Sequence, residues 1–156
     1  MMSSHYHQLS LSQMKASIRE MTADDAPTVN LLSRQLGYPL SVEQTLQNIR
    51  AVLQRKDHVA FVAVYDKNVV GWIGAAEAIM VEVMPHCEIN GLVINENYRG
   101  KGVGRLLIES VKRWARERGN NKISLRCNVK RTDAHLFYEH LGFREIKQQK
   151  NFVIEI

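Results

Sequence analysis

Cysteine is scarce in this 156-residue chain: Cys87 and Cys127 are the only two, and neither belongs to a CxxC pair. That scarcity argues against a disulfide framework and against a zinc site of the usual spacing. Both thiols fall in apolar, strand-like stretches, where buried free cysteines are common. Long apolar runs are also missing. The longest, from Val59 to Tyr65, falls far short of the roughly 20 residues that span a bilayer. No basic segment followed by an apolar one marks a secretory leader, so a cytoplasmic protein without membrane association is expected. Prolines number three, at 27, 39 and 85, so each one is informative about where an element starts or stops.

Acidic residues are fewer than basic ones, 16 against 21, which leaves a formal net charge of +5. A polyanionic partner suits that balance, whether nucleic acid, a membrane surface or a phosphorylated cofactor. Hydrophobic residues at 45% and charged residues at 24% are the proportions of an ordinary soluble domain. Disorder over the whole length is excluded, and one domain of this size buries roughly 70% of its unfolded surface.

Residues 1–15 are rich in Ser, Gln and His and read as a loose extension; residues 16–156 read as one domain. Ala16 to Met21 is strand-like. Thr22 to Asp25 supplies capping residues for a helix with Pro27 in its first turn, running to about Leu36. Gly37-Tyr38-Pro39 breaks it, and Ser41 with Gln44 has the spacing of a capping box for a second helix to about Arg55. His58–Tyr65 and Val69–Met80 are β-rich and joined by a turn at Asp66–Asn68; a third strand, His86–Ile94, follows Pro85. Val103, Leu106, Leu107, Val111, Trp114 and Ala115 recur at helical spacing, and that helix ends at Gly119. A strand over Lys122–Cys127, a short helix from about Thr132 to Leu141 and two closing strands complete a mixed α/β order without repeats.

Between the third strand and the amphipathic helix stands Tyr98-Arg-Gly-Lys-Gly-Val-Gly-Arg105. The first turn of a helix carries N–H groups with no intrahelical partner, and its dipole favours an anion. Missing side chains at Gly100, Gly102 and Gly104 let a phosphate approach those amides, while Arg99, Lys101 and Arg105 add positive charge. A pyrophosphate is the natural guest. The P-loop pattern is absent, and the dinucleotide fingerprint fails because Leu107 stands where its third glycine belongs.

The stretch Arg99-Gly-Lys-Gly102-Val-Gly104 matches [RQ]xxGx[GA], and there the chain resembles the GNAT superfamily of N-acetyltransferases. Leu92-Val-Ile94 before it and Ala134-His-Leu-Phe-Tyr138-Glu-His-Leu-Gly-Phe143 after it resemble the family's flanking motifs, in the same order. The resemblance implies a central, mostly antiparallel, twisted sheet splayed in the middle, with about four flanking helices. It implies acetyl-CoA as cosubstrate and no metal, with pantetheine along the backbone of Leu92, Val93 and Ile94. Pyrophosphate would meet the amides from Gly100 through Lys101, Gly102, Val103 and Gly104 to Arg105. The activity implied is acetyl transfer to a primary amine by direct attack in a ternary complex; a non-catalytic acyl-CoA sensor or scaffold is the alternative.

Tyr138 falls four residues before Gly142-Phe143, where the family places a tyrosine facing the CoA sulfur, and a phenol there can protonate the departing thiolate. Glu88 lies eleven residues before Arg99, the offset of the catalytic glutamate in the superfamily's histone acetyltransferases. It is the candidate base, or else an anchor for the substrate ammonium. Period-two alternation puts Glu88, Asn90, Leu92 and Ile94 on one face of their strand. His86 and Glu77 are weaker candidates for the base, and His135 and His140 read as surface or packing residues. Many family members have asparagine three residues before the small residue opening the tyrosine helix. Arg131 occupies that position here, with Asn128 three residues earlier as the substitute CoA contact and Lys130 or Arg131 as phosphate partners.

By the same resemblance, acceptor specificity lies in Leu31–Gln54 and Gln148–Glu155, with Tyr38 and Pro39 on that side. The acceptor is an amine-bearing small molecule or a protein amine, and a homodimer through the last strand fits the family. Lys112, Arg113, Arg116 and Arg118 cluster on one helix, but without a recognition motif they read as a solvated face, and no nucleic-acid partner is expected.

Overall fold

The structure, a computed structural model, describes residues 16–156; the extension expected over residues 1–15 lies outside them. The chain divides into two compact units, one ending at Leu125 and one beginning at Arg126.

In the first unit five strands form a sheet in sequence order: β1 (Ser17–Glu20), β2 (His58–Tyr65), β3 (Asn68–Met80), β4 (Val83–Ile94) and β5 (Ile123–Leu125). Every neighbouring pair is antiparallel except β4 with β5. Helices α1 (Ala26–Gln35) and α2 (Val42–Leu53) are inserted between β1 and β2, and α3 (Val103–Glu117) between β4 and β5.

The helix starts follow their local chemistry. Ser41 Oγ accepts from Gln44 N at 3.1 Å while Gln44 Oε1 accepts from Ser41 N at 2.9 Å, which is the reciprocal box the spacing implied. Asp25, ahead of α1, accepts from Thr22 N at 2.8 Å and from both terminal nitrogens of Arg19 at 2.8 Å. The Arg19 hydrogen bonds lead in holding its carboxyl below the usual carboxylate range, against burial, which pushes it up. Asp25 is only 6% exposed, so Asp25→Ala leaves Arg19 and the Thr22 amide without their acceptor and is expected to cost about 1–3 kcal/mol. Because the folded pKa is lowered, the carboxylate's contribution is complete above the unfolded value near about 4 and is lost as pH falls through the folded one. Thermal melts across acidic pH should therefore show a shallower acid limb for Asp25→Asn than for the wild type.

Between β2 and β3, Asp66 and Lys67 both adopt positive φ, +48° and +66°, while Tyr65 pairs with Asn68. That is a two-residue hairpin turn of the primed kind, whose twist suits the strands. Asn30, buried in α1, donates to Leu40 O at 2.7 Å and to Thr45 Oγ1 at 3.0 Å, tying the α1–α2 loop to both helices. On one side of the sheet Met21, Ala26, Val29, Ile49, Ala60 and Val62 cluster, with Trp72 packed against them. Val103, Leu107, Val111 and Ala115 of α3 are also buried, as the apolar stripe required, and Ile108 joins them.

Two boundaries differ from the sequence reading. β4 begins at Val83 and runs through Pro85, where a strand starting after the proline was expected. The register to β3 is already irregular between Ala78 and Met80, and such an irregularity accommodates a residue without an N–H. β5 spans only Ile123–Leu125 rather than reaching Cys127.

The second unit holds one helix, α4 (Thr132–His140), and a tail without regular secondary structure. No strand forms over residues 144–156, where two were expected. A strand exists only with a hydrogen-bonded neighbour, and the second unit provides none: Phe152, Val153 and Ile154 are 90%, 94% and 85% exposed.

Candidate active site

The register of β3 with β4 sets the site. Trp72 pairs with Val93, Ile73 with Leu92 and Gly74 with Gly91, but Ala75 pairs with Ile89, so Asn90 is an extra residue. This is a β-bulge. Opposed residues of antiparallel strands share a face. Ala76↔Glu88, Gly74↔Gly91 and Trp72↔Val93 therefore place Glu88, Gly91 and Val93 on one face, and Ile73↔Leu92 with Gly71↔Ile94 place Leu92 and Ile94 on the other. The expected grouping of Glu88 and Asn90 with Leu92 and Ile94 is thus corrected: the bulge resets the period of two.

The helices divide accordingly. Trp72 Nε1 donates to Ser33 Oγ of α1 at 3.2 Å, so α1 lies over the Glu88 face. A Cβ built on Gly71 would meet Ile94 Cδ1 at 3.0 Å and Leu107 Cδ1 at 3.5 Å, so α3 covers the opposite one.

The bulge also turns the main chain. Before it, Cys87 N donates toward β5, to Lys122 O at 3.0 Å; beyond it, Asn95 N donates toward β3, to Val70 O at 2.8 Å. By alternation the amides of Leu92 and Ile94 point away from β3, on the side where the β4–β5 ladder has already stopped at Ile89↔Leu125. The sheet is thus splayed there, and a length of β4 edge is left open. Val93 turns its amide inward, toward β3, so within Leu92–Ile94 it is the flanking residues that face the opening.

Asn95 Oδ1 accepts from Asn97 N at 3.0 Å and starts a short 3-10 turn, Glu96–Tyr98, leading into the glycines. Gly100 and Gly102 have φ of +75° and +81°, and nothing lies within 4 Å of a Cβ built on either. Gly102 caps α3, and the first intrahelical bond runs from Leu106 N to Gly102 O at 3.2 Å. The amides of Val103, Gly104 and Arg105 precede that bond and point out of the helix end. Gly104 is buried inside the helix without positive φ. Lys101 Nζ stands 5.2 Å from the centroid of Tyr98 and 6.0 Å from that of Tyr65, whose rings meet edge to face at 5.2 Å. The Lys101 ammonium is thus held by a ring pair beside the turn.

The weaker candidates fall elsewhere. Glu77 pairs with Cys87 across the strands, on the α3 face, and accepts hydrogen bonds from Arg118 Nε and Asn120 Nδ2. It is a structural ion pair on the wrong side of the sheet from Glu88. His86 lies inside β4, 6% exposed, with Nδ1–H donating to Met84 O at 3.0 Å, not in a loop. Cys87 is fully buried, and burial chiefly pushes its thiol up to about 11, too high for a nucleophile at neutral pH. Of the basic cluster, Lys112 on α3 pairs with Glu109, and Arg118, which caps the helix end, is engaged by Glu77 and by the Trp114 ring. Among the described residues no group of three or more His, Cys, Asp or Glu could hold a metal ion, and no helix is long and apolar enough to cross a membrane.

In the second unit, Tyr138 on α4 packs edge to face with Phe137 at 5.3 Å and Phe143 at 5.9 Å. Burial leads in raising its phenol above the ordinary value; Cys127 adds to the rise and Arg131 opposes it. Asn128 Oδ1 accepts from Lys130 N at 2.9 Å, and its carbonyl accepts from Arg131 N at 3.0 Å and from His135 Nε2 at 2.8 Å. Asn128 thus shapes the turn into α4, and His135 braces that turn through its ring nitrogen.

Sequence reasoning missed Ser33, Trp72 and Gly91. A signal was present: glycine in a strand interior marks a bulge or a close approach, and Gly91 follows Asn90 in mid-strand.

A family model described as the acetyltransferase (GNAT) family matches residues 18–143. An uncharacterized N-acetyltransferase of Bacillus subtilis (strain 168), YhdJ, is 32% identical over 111 residues, covering 70% of this chain and 78% of the relative. The uncharacterized N-acetyltransferase YjgM of Escherichia coli (strain K12) is 28% identical over 138 residues, covering 83% and 82%. Among solved structures, the aminoglycoside N-acetyltransferase AAC(6')-Iy in complex with CoA aligns with a TM-score of 0.81 over 90% of this chain and 95% of that one; at 21% identity the likeness is one of fold. The splayed sheet, the glycine turn and the family match agree: the chain belongs to the GNAT family and is an N-acetyltransferase.

Proposed function

We propose that the cosubstrate is acetyl-CoA and that the acetyl group passes to a primary amine by direct attack within a ternary complex. One observation carries the reading: a single unit holds both the open β4 edge at Leu92 and Ile94 and the outward amides of Val103, Gly104 and Arg105. A pantetheine arm carries amides that need a strand edge, and a pyrophosphate needs N–H groups with no side chain in the way. Open space above Gly100 and Gly102 meets the second need, and Arg99 and Arg105 supply charge. Asn128 is proposed as a further contact to CoA.

Acetyl-CoA brings the thioester that serves as acetyl donor; the remaining work belongs to the chain. Glu88 is half-buried on the face shared with α1, the side where the resemblance puts the acceptor. There its carboxylate draws in an ammonium and takes its proton, directly or through water, because only the free amine attacks. Tyr138, a phenol that is protonated at neutral pH and that burial makes harder still to ionise, gives its proton to the departing thiolate. We take Tyr38 and Leu40, exposed in the α1–α2 loop, to meet the acceptor, an amine-bearing small molecule or a protein amine. An acyl-CoA sensor has no use for a proton donor at Tyr138 or an acid at Glu88. We further propose that residues 16–156 act as one acetyltransferase domain, which the match over 18–143 supports, that the protein is cytoplasmic, and that it pairs into a homodimer through its last segment.

Incubation with acetyl-CoA and a panel of primary amines, following thiol release, tests the reading. With an amine that turns over, Glu88→Gln should lower kcat about 10- to 100-fold near neutral pH. The deficit should shrink as pH rises and the amine loses its proton without help. A deficit independent of pH would assign Glu88 to anchoring instead of proton transfer.

A further inference from the structure

Gly74 and Gly91 face each other across β3 and β4, next to the bulge. Both are filled from one side. A Cβ on Gly91 would stand 2.5 Å from Trp72 Cη2 and 2.7 Å from Cζ3; on Gly74 it would stand 2.8 Å from Asn90 Oδ1 and 3.6 Å from Trp72 Cζ3. The indole therefore lies across the glycine pair, with the Asn90 side chain folded back beside it. Its pyrrole end is tied down, since Nε1 donates to Ser33 Oγ at 3.2 Å and Ser33 Oγ donates to Val29 O at 2.7 Å.

The bulge decides which backbone groups face the open edge. Without it the alternation after Ile89 would run on unbroken, and a one-residue change of phase moves every side chain to the other face. Leu92 and Ile94 would then turn their amides into β3, and the strand would offer its edge from the wrong residues. Glycine at 91 leaves the strand free to relax in that way, because it has no side chain to pack. The indole fills the missing volume and spans from α1 to β4.

We infer that Trp72 is a positioning residue for acetyl transfer: lying across Gly74 and Gly91, it holds the Asn90 bulge and thereby the outward main chain of Leu92 and Ile94. The inference rests on the acetyl-CoA reading above. It makes the fit of the Trp72 ring against the bare backbone at Gly91 a determinant of cosubstrate affinity.

The test is a set of calorimetric titrations with acetyl-CoA, each paired with a thermal melt. Gly91→Ala drives a methyl into a rigid ring and should raise Kd about tenfold or more, while Trp72→Phe, which shortens the ring and removes the Ser33 bond, should raise it about threefold. The double variant should return to within about twofold of Trp72→Phe, because the smaller ring makes room for the methyl. Losses that multiply in the double variant, or a Gly91→Ala Kd equal to that of the wild type, overturn the inference. If Gly91→Ala does not fold, Trp72→Phe decides alone: a folded protein with unchanged Kd overturns it. Wild-type protein that fails to bind acetyl-CoA overturns the proposed function itself, a result distinguishable from the failure of Trp72's role.

Discussion

Tyr138→Phe is expected to lower kcat about 10²–10³-fold while leaving KM for acetyl-CoA within about threefold. The substitution keeps the ring, and with it the edge-to-face contacts to Phe137 and Phe143, so the melting temperature should hold. Only the hydroxyl proton goes. A thiolate leaving group protonated in the transition state loses that help, and an interaction made only there shows in kcat. Burial raises the phenol above its usual value near about 10, so the wild type should keep this acid up to strongly alkaline pH. Steady-state kinetics on one productive amine, with a melt as control, check it; an unchanged kcat removes Tyr138 from the chemistry.

Gly102→Val is expected to raise Kd for acetyl-CoA about 10- to 100-fold, with a smaller change in kcat at saturation. At φ +81° and ψ 5° a β-branched residue is strained by about 1–3 kcal/mol. Relief of that strain moves the cap of α3, and with it the amides of Val103, Gly104 and Arg105. No neighbour lies within 4 Å of the new Cβ, so the strain is one of backbone conformation. Gly119 offers the control, because it has the same φ of +81° and the same open space but lies beyond the far end of α3. Gly119→Val should lose comparable stability and keep its acetyl-CoA affinity. Equal losses of affinity in both would show that general destabilisation, not the phosphate cradle, is responsible.

Where a local rule decided the outcome, the sequence was enough. The Ser41–Gln44 box, the Asp66-Lys67 turn and the α3 stripe formed as their residues dictate, because each depends on neighbours a few positions away. The left-handed glycines at 100 and 102 follow from a turn that must bring three amides out at a helix start. The bulge at Asn90 was signalled only by Gly91 in mid-strand; its place depends on register with β3, and it put Leu92 and Ile94 on the face opposite Glu88. Glu77 illustrates the same limit: it stood as a weaker candidate for the base, but Arg118, far away in the chain, engages it. The closing strands failed for a related reason. Alternating residues such as Phe152 and Ile154 favour a strand, yet propensity supplies no partner for the ladder.

Amine-dependent thiol release tests direct acetyl transfer most directly. Purified wild-type protein given acetyl-CoA and a broad panel of primary amines should release free CoA with at least one of them, in step with formation of the acetylated amine, and Tyr138→Phe should nearly abolish it. Release at the no-amine background across the panel, from protein that binds acetyl-CoA tightly, would contradict the direct-transfer account.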